Sequence, residues 1–335
     1  FTIGITGTKG KSTTSSLIHK ILSDQNINNI LLGNIGVPIF DYIDKFDEKT
    51  TLVLEMSSHQ LEYMEFSPNI AILLNIYEEH LDHYNSFKDY ALAKCNIFKY
   101  QKASDYFIYN ADNDTLNSFV KKPKAQTYKL SFSGKADSQV YLNENKVYFN
   151  NKPIYDKNKP RKLLGDYNLT NIMFALAVSE ILKLDIEKTT KSISEFKPLS
   201  HRLEFVGKFG DILYYDNSIA TIPQATIEAI KALKNVDTLI IGGMDRGIDF
   251  SDFVAYLDTS DVNNIICMPK TGHDIAPKIK NKKTYIVNTL EEAVDTAKKV
   301  TQKDKICLLS PAAASYGFFL NFEQKGDLFK ELVSK

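Results

Sequence analysis

The N-terminal stretch TIGITGTKGKSTT combines the residue types that bind the phosphate groups of a nucleotide. A strand-like run leads into a glycine-rich turn, Gly7-Thr8-Lys9-Gly10, and Lys11-Ser12-Thr13 opens a helical pattern. Glycines let backbone N–H groups approach phosphate oxygens, and a helix N-terminus adds unpaired amides and a positive dipole end. Lys11 can reach the β- and γ-phosphates, and the Ser12 hydroxyl can bind Mg²⁺. The stretch therefore predicts an ATP-binding loop.

The strict P-loop motif is incomplete in this chain. Its first glycine would stand five residues before Gly10, where the sequence has Ile5. The plain alternative is a glycine-rich turn with an exposed lysine. The strand before the turn and the helix after it favour the phosphate-binding interpretation.

Polar residues also follow two other apolar runs. Glu55 ends the run Thr51–Leu54, and His80 comes soon after the run Asn69–Leu74 with acidic neighbours on both sides. Because α/β folds place functional groups at the carboxyl ends of their strands, both residues are candidate site residues. An acidic, oxygen-rich neighbourhood suits Mg²⁺. The plainer interpretations are a solvent-facing carboxylate and a structural histidine.

The bulk composition excludes several classes of function. The 335 residues contain 41 Lys and Arg against 41 Asp and Glu, so net charge gives no case for a nucleic acid or an anionic membrane as partner. Three scattered cysteines, Cys95, Cys267 and Cys307, argue against a disulfide framework or a zinc ribbon. No apolar run approaches the roughly 20 residues of a membrane span, and no signal peptide is visible. We therefore expect a cytoplasmic protein without membrane insertion.

The elements needed to position these residues form two α/β patterns. In the first, short apolar strands alternate with helices, which predicts a mainly parallel sheet. Its predicted strands are Thr2–Ile5, Asn29–Leu32, Thr51–Leu54 and Asn69–Leu74, and its predicted helices are Lys11–Gln25, Ser86–Lys99 and Asn168–Leu184. The segment Tyr106–Tyr155 is predicted to be an antiparallel patch, with a hairpin turning near Glu144-Asn145.

The strand–helix pattern restarts near Pro198. The strands predicted after it are Ile212–Tyr215, Thr238–Ile241, Asn264–Met268, Thr284–Ile286 and Ile306–Leu309. Residues 1–198 and 199–335 are therefore predicted to be two α/β domains.

Several motifs together resemble the Mur ligase family. The phosphate loop has the form Thr-Gly-Thr-x-Gly-Lys-Ser, which Mur ligases share with folylpolyglutamate synthases. The stretches Gly33–Gly36, Glu55–Glu62 and Asn75–His83 resemble successive Mur motifs, the second of them in the form of the glutamate-adding branch. His201–Glu204 and Ser310–Ser315 resemble motifs of the C-terminal domain. The resemblance covers nearly all of the chain.

The resemblance implies a fold and a reaction. The fold would be a P-loop-type central ATPase domain followed by a Rossmann-like C-terminal domain. The reaction would use ATP to activate the carboxylate of UDP-MurNAc-L-alanine as an acyl phosphate, which glutamate then attacks to form an amide. Mur ligases also carry an N-terminal domain for the UDP part of the substrate. That domain is absent here, and because the chain starts at Phe1 we expect it to have been trimmed. The enzyme would act as a monomer.

The resemblance also assigns roles to individual residues. The catalytic set would be Lys11, Glu55, His80, Lys94 and Arg202. ATP would be bound by Gly7, Thr8, Gly10, Lys11, Ser12, Thr13, Asn168, Asn171, Arg202 and Asn217. Two Mg²⁺ ions would be held by Ser12, Glu55, His80 and Lys94, the last as a carbamate. The first substrate would contact Asn34, Ser57 and Gln60, and glutamate would contact Thr221, Arg246, Ser315 and Phe322.

Spacing alone would give two of these residues purely structural roles. Lys94 would be an ordinary helix-surface lysine. Asn168 would be a helix N-cap, a role that is compatible with adenine contact. Carbamylation is nevertheless chemically sensible for a buried lysine, because only the neutral amine reacts with CO₂ and burial disfavours the charged form.

The sequence departs from the glutamate-adding branch near the predicted acceptor pocket. Asn217 stands where aspartate is usual, Ile219 where lysine is usual, and Arg246 where lysine is usual. The resemblance implies D-glutamate as the acceptor, and these changes leave L-glutamate, as in a sister branch, open as the alternative. A folylpolyglutamate synthase-type ligase and a non-catalytic ATP-binding module also stay open as functions.

Overall fold

The computed structural model describes residues 1–33, 46–78 and 83–335. The chain divides into two compact units, Phe1–Phe196 and Lys197–Lys335. Each unit is an α/β structure built on its own sheet.

The described part of the first unit contains a nine-stranded sheet in the order β2-β3-β1-β4-β5-β6-β7-β8-β9. The strands are β1 Thr2–Thr6, β2 Asn29–Gly33, β3 Thr51–Glu55, β4 Ile70–Leu73, β5 Tyr106–Asn110, β6 Gln126–Ser131, β7 Val140–Asn143, β8 Lys146–Phe149 and β9 Lys152–Asp156. Pairing is parallel from β2 to β7, and only β7, β8 and β9 pair antiparallel. The inner strand β1 is almost wholly buried, as a parallel strand covered on both faces should be.

The helices of the first unit are α1 Lys11–Asp24, α2 Ser58–Glu62, α3 Phe87–Lys99, α4 Asp114–Phe119, α5 Asp166–Ile181 and α6 Ile186–Glu195. The amphipathic pattern after the glycine-rich turn predicted α1, and its buried stripe contains Leu17, Ile18, Ile21 and Leu22. The Ser-x-x-Asp pattern at Ser86 predicts a helix cap, and the Ser86 side chain does accept a hydrogen bond from the Asp89 amide at the start of α3, at 3.2 Å.

The extent of the predicted antiparallel patch was wrong. The hairpin at Glu144-Asn145 is confirmed, since Asn143 pairs with Lys146. The strands β5 and β6, however, continue the parallel sheet. Each is reached through a crossover helix, α3 or α4, and such a connection is what parallel pairing requires. The second of these helices is only six residues long, which is too short for a periodic signal in the sequence.

The second unit contains a six-stranded sheet in the order β10-β11-β15-β12-β13-β14. Its strands are β10 Glu204–Phe209, β11 Ile212–Asp216, β12 Val236–Ile241, β13 Asn264–Cys267, β14 Lys283–Ile286 and β15 Ile306–Leu309. Its helices are α7 Pro223–Leu233, α8 Ser251–Thr259, α9 Thr271–Ile275, α10 Leu290–Val300 and α11 Phe322–Ser334, with a short 3-10 turn Ala276–Lys278. All pairs are parallel except the edge pair β10–β11. The predicted α/β fold, mainly parallel with an antiparallel patch, is confirmed.

Each unit has apolar clusters of its own. In the first, α3 packs its buried face against residues of β3, β4 and β5. In the second, α10 and α11 cover one face of the sheet, where Phe329 lies fully buried with its ring 6.2 Å from that of Tyr214. In the ranges that the structure describes, no helix is long and apolar enough to cross a membrane.

Candidate active site

The predicted phosphate loop lies at the carboxyl end of β1, between the ends of β3 and β4. In the sheet register Ile5 pairs with Glu55, and Thr6 pairs with Leu73. The Thr8 amide donates to the Asn75 carbonyl at 3.1 Å, which ties the loop to the segment that follows β4. The three strand ends therefore bring the loop and the neighbouring polar residues to one edge of the sheet.

Gly10 begins helix α1 in a conformation that requires glycine. Its φ is +91°, and a Cβ atom there would lie 2.6 Å from Asn171 Oδ1. Among the described residues, no side chain caps α1 at this end, and the first turn of the helix contains no acidic residue. The first amides of the helix are thus available to an anion, which fits the phosphate groups of ATP.

Two lysines from different elements reach the same loop carbonyl. Lys11 Nζ donates to the Gly7 and Thr8 carbonyls at 2.8 and 3.0 Å. Lys94 Nζ, which comes from α3, donates to the Gly7 carbonyl at 3.1 Å. Lys94 is 2% exposed, so the interpretation as a helix-surface lysine was wrong. A carbamylated lysine keeps one N–H on this nitrogen, so the bond to Gly7 is compatible with the modification.

A buried tyrosine further fixes the loop. The Tyr90 hydroxyl lies within hydrogen-bond distance of Thr8 Oγ1, at 3.0 Å, and the ring of Tyr90 lies 4.7 Å from Lys94 Nζ. The Tyr77 amide donates to the same threonine oxygen at 2.9 Å. Thr8 is therefore a structural link between the phosphate loop and helix α3.

Glu55 is buried at the end of β3, with 1% of its surface exposed. The Glu55 backbone lies against Gly33 of the neighbouring strand β2. A Cβ atom at position 33 would lie 2.1 Å from the Glu55 carbonyl oxygen, so only glycine fits there. A carboxylate is a preferred ligand of Mg²⁺, and the half-buried hydroxyl of Ser12 belongs to the adjacent loop. These residues fit a magnesium site beside the phosphate loop.

Asn168 and Asn171 lie in the first turn and a half of α5 and are both buried. Asn171 Oδ1 accepts a hydrogen bond from Thr14 Oγ1 of α1 at 3.3 Å. The side-chain amide nitrogen of Asn171 donates to Asn168 Oδ1, also at 3.3 Å. The interpretation of Asn168 as an N-cap was wrong, since Gly165 holds that position and Asn168 instead donates to the Leu164 carbonyl at 2.8 Å. The pair fastens α5 to α1 beside the loop.

Ser57 and Gln60 form a capping box at the start of α2. The Gln60 amide donates to Ser57 Oγ at 3.2 Å, and the Ser57 amide donates to Gln60 Oε1 at 2.8 Å. Both residues were predicted to contact the first substrate, and this mutual bonding was not predicted. Their side chains therefore have a structural role in starting the helix that follows Glu55.

In the second unit, three adjacent parallel strands end side by side. Asp216 of β11 pairs with Leu309 of β15, which in turn pairs with Ile240 of β12. The segments after these strands contain the predicted acceptor residues Thr221, Arg246 and Ser315. These predicted residues thus follow strand ends on one edge of the sheet.

Backbone hydrogen bonds join two of these segments directly. The Gly242 amide donates to the Pro311 carbonyl at 3.0 Å, and the Met244 amide donates to the Ala314 carbonyl at 2.8 Å. The segment that carries the exposed Arg246 therefore runs beside the one that carries Ser315. Ser315 is 3% exposed, and its hydroxyl has no hydrogen-bond partner among the described residues. A buried hydroxyl without a partner is costly, so it suits a site that a polar ligand completes.

The buried side chain of Asn217 makes hydrogen bonds to two other segments at the same edge of the sheet. Its side-chain amide donates to Ser310 Oγ at 3.0 Å, and its Oδ1 accepts from the Leu203 amide at 3.1 Å. Ser310 Oγ also lies 2.8 Å from Thr226 Oγ1. The predicted ATP-binding residue Asn217 therefore has a scaffold role here, next to the half-buried Arg202.

Two family models match the chain. The Mur ligase middle domain matches residues 5–179, and the Mur ligase glutamate ligase domain matches residues 201–313. The chain belongs to the Mur ligase family. It is accordingly an ATP-dependent, ADP-forming ligase. The family that its sequence motifs predicted is confirmed.

Curated relatives and solved structures agree with this family. Over 338 residues this Mur ligase is 36% identical to a UDP-N-acetylmuramoylalanine–D-glutamate ligase of Clostridioides difficile, covering 99% of the chain and 75% of the relative. A protein of the same name from Clostridium kluyveri is 34% identical over 339 residues, with 99% and 73% covered. Among solved structures, UDP-N-acetylmuramate-alanine ligase MurC of Thermotoga maritima has a TM-score of 0.72 at 19% identity, with 99% and 74% covered. The MurF ligase of the same organism, in complex with ADP, has a TM-score of 0.70 at 18% identity, with 99% and 80% covered.

Two predicted site residues of this Mur ligase, Asn34 and His80, lie outside the described residues. Tyr90, in contrast, is described but was not among the predicted site residues. The sequence did contain a pattern that indicates its position. The buried face of α3 contains, at helical spacing, Tyr90, Ala91, Lys94 and Cys95. A lysine on such a face is unusual enough to be noticed in the sequence.

Proposed function

We propose that this Mur ligase adds glutamate, in its D form, to UDP-MurNAc-L-alanine. The names of the curated relatives support the substrate pair. Residues 1–198 would be the ATP-binding domain and residues 199–335 the glutamate-binding domain. The reaction would take place in the cytoplasm, where ATP is available.

The observation that carries the acceptor half is the buried Ser315 hydroxyl, which lies beside the loop of Arg246 and has no partner among the described residues. An amino acid with a second carboxylate can use both features. A carboxylate oxygen accepts from the serine hydroxyl, and the guanidinium of Arg246 binds another carboxylate in bidentate geometry. We propose Thr221 and Phe322 as the remaining residues of this pocket.

In the first step the carboxylate of the bound UDP-MurNAc-L-alanine attacks the γ-phosphorus of ATP. The bond to the β-phosphate oxygen breaks, and ADP leaves. We propose that Lys11 moves from its loop carbonyls onto the phosphates, and that Arg202 also contacts them. Both reactants are anionic, so the contribution of these cations is to neutralise and align them.

In the second step the neutral amino group of glutamate attacks the acyl carbon. A tetrahedral intermediate forms, phosphate leaves, and the amine loses a proton as the amide forms. Mg²⁺ ions, for which we propose Ser12, Glu55, His80 and carbamylated Lys94 as ligands, supply charge neutralisation at the phosphates when bound. Because Lys94 is buried, the modification would replace a buried cation by a metal-binding anion.

The test is phosphate release by the complete gene product with ATP, Mg²⁺ and UDP-MurNAc-L-alanine, with D- and L-glutamate compared. We expect release that depends on D-glutamate. Release with L-glutamate alone would identify the sister activity to which Ile219 and Arg246 point. Release with neither enantiomer would refute the proposed acceptor.

Lys11→Ala is the matched loss-of-function variant for the same assay. We expect it to lower kcat by about 10²- to 10³-fold, because the transferring phosphoryl group loses its loop cation. Lys9→Ala, in the same loop but with an exposed side chain, is the control and should retain most of the activity. Near-normal turnover by the Lys11 variant would contradict the proposed mechanism.

A further inference from the structure

The second unit contains an ionic network that none of the proposed steps uses. We call it the His201 cluster, and it consists of His201, Glu204, Asp216, Asp327 and Lys330. His201 Nδ1 lies 2.8 Å from Asp216 Oδ2, and His201 Nε2 lies 3.6 Å from Asp327 Oδ1. Both ring nitrogens thus face carboxylates, and only the protonated imidazole offers an N–H donor on each side. Asp216 is fully buried, whereas Asp327 is largely exposed.

Lys330 supplies the second positive charge of the cluster. Its Nζ lies 2.7 Å from Glu204 Oε2 and 3.8 Å from both Asp216 Oδ2 and Asp327 Oδ1. His201, Glu204 and Asp216 offer ligand atoms within 4.8 Å of one another, as a metal site would. Because the ammonium group of Lys330 already contacts these carboxylates, we interpret the cluster as an ion-pair network. Three carboxylates then face two cations when His201 is protonated.

The backbone around His201 is tightly held. The His201 amide donates to Glu204 Oε2 at 2.9 Å, and its carbonyl accepts from the Ile219 amide at 3.3 Å. Its φ is +64°, a left-handed conformation that non-glycine residues adopt only when their surroundings enforce it. Both bonds use backbone atoms of His201, so they hold the segment that contains Arg202 independently of the imidazole.

Helix α11 lies directly on the cluster. A Cβ atom on Gly326 would lie 2.2 Å from His201 Nδ1 and 2.5 Å from Asp216 Oδ2, so only glycine permits this approach. The ring of Phe322, the first residue of the helix, makes an edge contact with the His201 ring at 5.9 Å. The position of the first two turns of α11 thus depends on the imidazole and its partners.

We propose that His201 is a positioning residue for the acceptor half of the reaction: as the imidazolium, it holds the start of α11 and thereby sets the affinity for the acceptor amino acid. The inference rests on the proposed glutamate pocket, which includes Phe322. It predicts an acceptor KM that rises with pH, opposite in sign to the fall that deprotonation of the glutamate amino group alone would produce.

The charges around the imidazole favour this state. The hydrogen bond with Asp216 raises the pKa of His201 above its ordinary value of 6.5, against the opposing effect of burial. Asp327 also raises the pKa, and Lys330 lowers it. Because the folded-state pKa is the higher one, the stabilisation is complete below pH 6.5 and is lost as the pH rises through the raised pKa.

His201→Asn is the sharpest variant. Asparagine tolerates a positive φ and keeps an amide donor near the position of Nδ1, but it cannot be protonated. In the complete gene product we expect it to raise the KM for glutamate about tenfold at a pH of about 6.5, the scale of one charge-assisted hydrogen bond. The KM for ATP and kcat should change by less than about twofold. In the wild type the glutamate KM should rise with pH, and in His201→Asn that rise should be absent.

His273→Asn is the matched control, because His273 lies in the same unit and its ring bonds to a backbone carbonyl, that of Val287. It should keep the pH dependence of the wild type. Asp327→Asn, which removes an exposed carboxylate, should lower the imidazole pKa measured by NMR and raise the glutamate KM less than His201→Asn does. Equal pH dependence in the two histidine variants, or a His201 pKa at or below its ordinary value of 6.5, would overturn the proposal.

Hydrogen exchange separates this proposal from the proposed function. Amides in residues 322–327 should exchange faster in His201→Asn than in the control variant, whatever the acceptor is. If neither glutamate enantiomer supports phosphate release, the proposed function fails, and unchanged exchange in this segment would independently refute the positioning role of His201.

Discussion

Lys325 shows what a single buried charge does in this molecule. It is 1% exposed, and its Nζ donates to the Gly242 carbonyl at 3.2 Å and lies 5.2 Å from the centre of the Phe319 ring. Burial lowers its pKa from 10.5 to about 8. The folded unit therefore releases the proton more readily than the unfolded chain does, and its stability must rise with pH between those two values.

Replacing Lys325 by methionine should remove this dependence. The variant should gain stability relative to the wild type near neutral pH, where the wild type buries a cation, and the difference should shrink by roughly 2–3 kcal/mol by a pH of about 10. Urea unfolding of the wild type and Lys325→Met across this range measures it. Lys298→Met, which alters an exposed lysine of α10, is the control and should show a difference independent of pH. A constant offset for Lys325→Met as well would show that the lysine is not a buried base.

Residue types and local spacing were enough to predict part of the candidate site. The phosphate loop is contiguous in sequence, and Glu55 follows an apolar strand, so both could be identified from the sequence. The bond from Lys94 to the Gly7 carbonyl joins residues 87 positions apart, and the bond between Tyr90 and Thr8 joins residues 82 apart. Such contacts depend on how α3 packs on the sheet, which periodicity alone does not specify.

At the scale of single elements, the start of α11 carries the proposed acceptor residue Phe322 and packs on the His201 cluster. Asn321 caps the helix, because its Oδ1 accepts from the Gln324 amide at 2.9 Å, and Gln324 Oε1 in turn accepts from the Leu320 amide at 2.7 Å. Phe322, a proposed acceptor residue, is the first residue of the helix that this cap orders. The capping residue of α3 is recognisable from sequence, whereas the glycine that lets α11 approach His201 is understood only from the packing.

Asn321→Ala should cost about 1 kcal/mol of stability, the usual effect of losing an asparagine N-cap. It should also raise the glutamate KM several-fold, because the first turn that carries Phe322 frays. Denaturant unfolding and steady-state kinetics give the two values. The control is Asn113→Ala at the cap of α4, where Asn113 Oδ1 accepts from the Leu116 amide at 2.7 Å. It should cost similar stability with no effect on glutamate; parallel kinetic losses in the two variants would argue against a specific role for the α11 cap.

For the whole molecule, the alternation of strands and helices predicted two α/β units because each unit repeats a local pattern. What it could not give was the pairing of strands. The strand β10 was not predicted, and it pairs antiparallel at the sheet edge, where Gly207 interrupts the register. The order β11-β15-β12 likewise joins strands from both ends of the unit, so the edge that gathers the proposed acceptor residues is set by contacts distant in sequence.

The second unit should fold without the first, because its sheet is covered by its own helices and its apolar residues form their own core. Residues 197–335 expressed alone should unfold cooperatively, with a stability in the usual range of roughly 5–15 kcal/mol. Near-UV circular dichroism during urea unfolding would report the aromatic packing around Tyr214. A shorter chain ending at residue 320 should not fold, since it lacks α11 and leaves the position of the fully buried Phe329 empty. If the longer chain shows no cooperative transition, its core depends on residues outside 197–335. If the shorter chain folds as well, α11 is an accessory element, and the coupling from His201 through α11 to the acceptor pocket loses its structural basis.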